Sequence, residues 1–142
     1  MANTSEPTHA SSALGQWVED LYDRIFCQPN DEVSASAFNE RVAQGFTARI
    51  NHDQFSWKDF FEAIKKFRVL NVTSVQSTRD IQSWDAPDGS GGGCVSQFVH
   101  FKDTHKETGV VTESSTLLVA NVKVIDGQKM LFELTEVLKV SK

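Results

Sequence analysis

Val122-Lys-Val-Ile-Asp-Gly-Gln-Lys-Met-Leu-Phe-Glu-Leu-Thr-Glu136 reads as two strands joined at Asp126-Gly127. That dipeptide favours tight hairpin turns, because both central residues take positive φ. The second strand continues to Val140. With a period of two, Met130, Phe132, Leu134, Glu136 and Leu138 share one face, and Leu131, Glu133, Thr135, Val137 and Lys139 share the other. The first set is apolar except for Glu136. A lone carboxylate among apolar side chains holds its proton more tightly or finds a partner.

Working outward, three more segments carry strand composition, rich in Val, Thr and Phe: Val69 to Trp84, Cys94 to Thr104 and Val110 to Ile125. Asp88-Gly-Ser-Gly-Gly-Gly93 and His105-Lys-Glu-Thr-Gly109 separate them. Together with Lys129 to Val140 they predict an antiparallel meander. Helical spacing dominates upstream. Leu14, Trp17, Val18, Leu21, Tyr22, Ile25 and Phe26 predict an amphipathic helix capped by Ser11 or Ser12. Pro29-Asn-Asp31 breaks it, and a weaker helix follows with Val33, Ala37, Phe38 and Val42 inward, ending near Gly45. Phe46 to Ile50 and Gln54 to Ser56 predict a small hairpin around Asn51-His-Asp53. Ser56-x-x-Asp59 then opens a helix from Trp57 to Arg68, with Trp57, Phe60, Phe61, Ile64 and Phe67 on one face. The fold class is α+β: three N-terminal helices packed on a curved, mostly antiparallel sheet, shaped as a cone whose mouth makes a pocket. Residues 1–11 are expected to form a flexible N-terminus and residues 12–142 a single domain.

At 142 residues with a net charge of -5, the chain suits one domain and lacks the basic stripe that nucleic acid requires. No run approaches the ~18 apolar residues of a membrane span. The N-terminus lacks a basic start followed by an apolar stretch, so a cytoplasmic location is expected. Cys27 and Cys94 lie far apart and read as buried free thiols. His9, His52, His100 and His105 form no metal spacing, since His100 and Asp103 point to opposite sides of a strand. The glycines from Gly89 to Gly93 lack the Lys of a phosphate loop.

In its long first helix, hairpin around Asn51-His-Asp53, helix Trp57 to Arg68 and four-strand finish, the chain resembles the nuclear transport factor 2-like superfamily. That group includes SnoaL-like polyketide cyclases, ketosteroid isomerase and scytalone dehydratase, and the resemblance spans about Ser12 to Val140. It implies a pocket for a small apolar organic molecule, with isomerisation, dehydration or cyclisation of a polyketide- or steroid-like substrate and no organic cofactor or metal. Glu136 is the expected proton acceptor. The resemblance makes Tyr22, on the first helix, similar to the tyrosine that donates to the oxyanion in ketosteroid isomerase. Asp53 falls broadly where the isomerase's base would lie, and Gln97 is the alternative donor. Trp17, Trp57, Phe61, Gln97, Phe132 and Leu134 are the expected ligand-binding walls. Plainer readings stand beside these: Glu136 at the rim or paired with Arg49, Arg79 or a lysine, Tyr22 in the core, Asp53 as a turn residue. A single tyrosine departs from the scytalone dehydratase pattern. Arg79-Asp80 is adjacent rather than alternate, unlike the cross-strand set of limonene-epoxide-hydrolase-like enzymes. The rival to chemistry is a non-catalytic module. In it, Thr112, Ser114, Thr116, Leu118, Ala120, Val122 and Val124 form a flat outer face for a homodimer or a protein partner.

Overall fold

The computed structural model describes residues 12–141. The expected flexible segment 1–11, with Ser11 and His9, lies outside them. Helix α1 (Ala13–Tyr22) starts where the Ser12 hydroxyl accepts from the Gly15 amide, one of the orphan donors of a first turn. It runs on as a π-helical segment, Asp23–Cys27, so the expected helix to Phe26 changes its winding after Tyr22. Asn30 caps α2 (Asp31–Arg41) by accepting from Glu32 and Val33.

Here the structure corrects the sequence reading. Helix α2 buries Ser34, Ala37 and Phe38, while Val33 stays exposed. The helix ends at Arg41, and Val42 opens strand β1 (Val42–Ile50) opposite Leu131. Val42 and Ala43 are both buried, so strand pairing takes the residues that helical spacing assigned to a last turn. Gly45 lies in the irregular stretch of β1 between Val42 and Thr47. Strand β2 (Asp53–Ser56) completes the hairpin through Asn51, whose φ is 56°. The Ser56 hydroxyl accepts from the Asp59 amide and starts α3 (Trp57–Leu70), as its spacing predicts.

Strands β3 (Asn71–Asp85), β4 (Gly93–His105), β5 (Val111–Ile125) and β6 (Gln128–Val140) form the meander. Asp126 and Gly127 both take positive φ in the final turn. The order across the six-stranded, unclosed sheet is β2-β1-β6-β5-β4-β3. Only β1 against β6 is parallel among these pairings. No helix among the described residues is long and apolar enough to cross a membrane.

Two face assignments change. On β5, Ser114, Thr116, Leu118, Ala120 and Val122 are buried, while Leu117 and Val119 are exposed. The small-residue row therefore faces the helical side rather than forming an outer surface, and the short side chains of Ser114 and Thr116 border a cavity there. On β6, Leu131 pairs with Val122 and Glu133 with Asn121, leaving Phe132 as the extra residue of a bulge. The alternation reverses there. Leu131, Leu134 and Glu136 are buried, and Met130 and Phe132 leave that inner row.

Candidate functional site

Between the helices and the inner face of the sheet lies a cavity of about 410 Å³, within the usual range for small-molecule sites. Phe26, Phe60, Ile64 and Phe67 form its helical wall, and Ile50 and Phe55 close one side from the hairpin. The sheet wall mixes Val75, Val99, Phe101 and Leu138 with the polar side chains of Thr73, Asp103, Ser114, Thr116 and Glu136. The helical spacing of Phe60, Ile64 and Phe67 puts one apolar stripe on this space.

Tyr22 and Glu136 meet here. The Tyr22 hydroxyl donates to Glu136 Oε2 at 2.5 Å, and the Thr116 hydroxyl donates to Oε1 at 2.8 Å. Glu136 is 7% exposed. Burial pushes its carboxyl above the ordinary glutamate range, although both hydroxyl donors pull the other way. Tyr22 is raised well above a normal tyrosine, by burial first and then by the charge and hydrogen bond of Glu136. The shared proton accordingly resides on Tyr22, which donates. Asn51 fixes the strand beneath. Its amide donates to the Glu136 carbonyl at 3.0 Å, and its side chain exchanges hydrogen bonds with the Leu138 backbone. The turn residue that closes the β1–β2 hairpin thus also sets the height of Glu136.

Asp103 is a second buried carboxylate in the same cavity. Its Oδ1 accepts from the Thr73 hydroxyl at 2.7 Å, and burial raises its pKa against that bond. Cys27 also lines the cavity, where burial, then Asp23, pushes its thiol up to about 11. At neutral pH it is a thiol, not a nucleophilic thiolate.

The other expected site residues lie elsewhere. Asp53 is exposed on β2, outside the cavity, because β2 is the edge strand and its first residue sits at the turn. Trp17 packs half-buried against the core. Trp57 and Phe61 stack on each other at 5.3 Å and surround Phe38, away from the cavity. The Trp57 indole donates to the Val42 carbonyl. Leu134 is buried in the core, and Phe132 lies under the Lys123 ammonium at 4.3 Å. Gln97 is buried below α1, where its amide donates to the Gly15 carbonyl and to Asp80. It borders a smaller space of about 200 Å³ shared with Tyr22. Asp80 also accepts from Ser12, so it anchors the start of α1. Sequence reasoning missed Asp103 and Thr116. The alternation Val95, Gln97, Val99, Phe101 reaches Asp103 one step later, and Thr116 was assigned to the wrong face. Among the described residues, no group of three His, Cys, Asp or Glu side chains could hold a metal ion.

No family model matches this sequence, and no curated protein matches it. Solved structures do. An NTF2-like protein from Prochlorococcus marinus superposes with a TM-score of 0.61 at 10% identity, covering 93% of this chain and 97% of that one. A provisionally assigned ketosteroid isomerase from Shewanella frigidimarina gives 0.61 at 9% identity, with 92% and 99% covered. A provisionally assigned SnoaL-like polyketide cyclase from Mesorhizobium loti gives 0.52 at 12% identity, with 88% and 98% covered. The fold is that of the nuclear transport factor 2-like superfamily.

Proposed function

We propose that this chain binds a small, largely apolar organic molecule in the cavity and moves a proton next to its carbonyl, with Glu136 as acceptor and Tyr22 as donor. The observation that carries the reading is the buried Glu136 carboxylate, bridged by Tyr22 and Thr116 and facing an otherwise largely apolar cavity. A carboxyl with a raised pKa is a stronger base than a surface glutamate. As Glu136 takes up the substrate proton, the Tyr22 O–H is released from it to donate to the oxygen of the enolate as charge develops. Such a step breaks a C–H bond and passes the proton to Glu136. Isomerisation then returns it at another carbon, dehydration passes it to a departing hydroxyl that leaves as water, and cyclisation passes it to the oxygen of a second carbonyl that the enolate attacks. The reading requires no cofactor. The ketosteroid isomerase and polyketide cyclase names carried by structural neighbours support the class of chemistry, not the substrate.

Deuterium incorporation from heavy water into a neutral bicyclic ketone, followed by NMR, tests it. The wild type is expected to catalyse exchange at the carbon beside the carbonyl, and Glu136→Gln to slow it by about a hundredfold or more. Equal exchange by the two proteins sinks the acid–base reading. Binding of the ketone without exchange leaves a binding protein in place of an enzyme.

A second reading, self-association, rests on the outer sheet face. Val137 is 63% exposed, and its cross-strand neighbour Leu117 is exposed beside it. Leu117 in turn lies opposite Phe98. An apolar row across three strands suits a second copy of this chain packing face to face. Sedimentation analysis is expected to show a dimer that Val137→Lys dissociates; a wild-type monomer at high micromolar concentration removes this reading.

A further inference from the structure

The cavity reading leaves part of the sheet wall without a task. Ser114 is 3% exposed, lines the cavity, and its hydroxyl has no hydrogen-bond partner among the described residues. Asp103 uses Oδ1 for Thr73, and its Oδ2 has no donor among them. Buried polar atoms are ordinarily paired. Here two unpaired ones face the same space. The sheet register gives their positions. Glu136 lies opposite Leu118 on β5, and Asp103 lies opposite Thr112. The Glu136 carboxylate reaches the Thr116 hydroxyl, so Ser114 and Thr112 lie two and four residues from it, roughly 7 and 13 Å along the strand. One end of the cavity presents Glu136 and Thr116, and the other presents Ser114 and Asp103. Charge narrows the choice further. No basic side chain is among the described lining residues, which carry two carboxylates. An anionic ligand would meet like charge in a medium of low dielectric.

We propose that Ser114 and Asp103 form a second polar subsite that selects a neutral, elongated, largely apolar molecule with a hydrogen-bond-donating hydroxyl toward each end. One hydroxyl meets the Glu136 end. The other donates to Asp103 Oδ2 and accepts from the Ser114 hydroxyl. This rests on the cavity being a ligand site, but not on proton transfer there.

Three fluorescent stilbenes test it by titration: one with a hydroxyl at each para end, one with a single hydroxyl, and one with a hydroxyl and a carboxylate. The dihydroxy compound is expected to bind tightest and the carboxylate weakest. Ser114→Ala is expected to weaken the dihydroxy compound by about fivefold, and Asp103→Asn by about tenfold, as losses of a neutral and a charge-assisted hydrogen bond. Both variants weaken the single-hydroxyl compound less than the dihydroxy compound, and Asp103→Asn improves binding of the carboxylate. Thermal melts of both near-isosteric variants establish that they fold. The subsite is overturned if the single-hydroxyl compound binds as tightly as the dihydroxy compound, if the carboxylate binds best, or if both variants keep the wild-type order unchanged. If none of the three binds, the cavity reading falls and the subsite with it.

Discussion

Glu136 is held by two hydroxyls whose bonds favour its charged form and by a burial that disfavours it, and burial prevails. The sign of the consequence for stability follows. A carboxyl raised in the folded state keeps its proton over a pH range where the unfolded chain has lost it. Folding is therefore least penalised below the ordinary glutamate range, and stability declines as pH rises from there through the raised native value. Glu136→Gln cannot titrate, so the difference in unfolding free energy between wild type and variant isolates this group. Urea melts from acid to neutral pH are expected to show the wild type losing ground to the variant as pH rises. A gain would mean that the native site stabilises the carboxylate instead. The alternation of β6 placed Glu136 on an inward face from sequence, and the spacing of α1 placed Tyr22 among its apolar residues. Their bond was not legible, because no local pattern states that Tyr22 and Glu136, 114 positions apart, lie at the same height.

At the scale of elements, Arg68 secures the cavity's first wall. Its guanidinium donates to the carbonyls of Ile25, Phe26 and Gln28 and pairs with Asp31. These carbonyls close the π-helical segment that carries Phe26 and Cys27, and helix-end acceptors need such partners. Arg68→Ala is expected to cost about 2–4 kcal/mol in chemical denaturation, because buried carbonyls lose their donors. Arg68→Lys should recover only a minor part, since an ammonium cannot span the same fork. A loss below about 0.5 kcal/mol in the alanine variant would contradict this assignment. In the sequence Arg68 looked like the basic end of a helix, which it is. Its inward turn depends on the π-helical winding, which repeating apolar spacing does not reveal. The β6 bulge was hidden for a similar reason: strict alternation continues through Phe132 in sequence, while the extra residue is defined only by its pairing with β5.

For the molecule as a whole, helix positions, strand positions and the α+β order were legible, because each rests on local periodicity and turn chemistry. The inward face of β5 was not. Ser114, Thr116 and Ala120 look suited to an exposed flat surface, yet they are buried on the helical side of the sheet, a covering that only tertiary packing supplies. The same packing leaves the cavity and brings one edge of its wall to Glu136. Titration of the Glu136 side-chain carboxyl carbon by NMR, with and without a neutral apolar ligand in the cavity, tests the central claim most directly. The predicted midpoint lies above those of the surface glutamates, and it rises further when the ligand excludes water. A midpoint coinciding with the surface glutamates, unmoved by ligand, would contradict it.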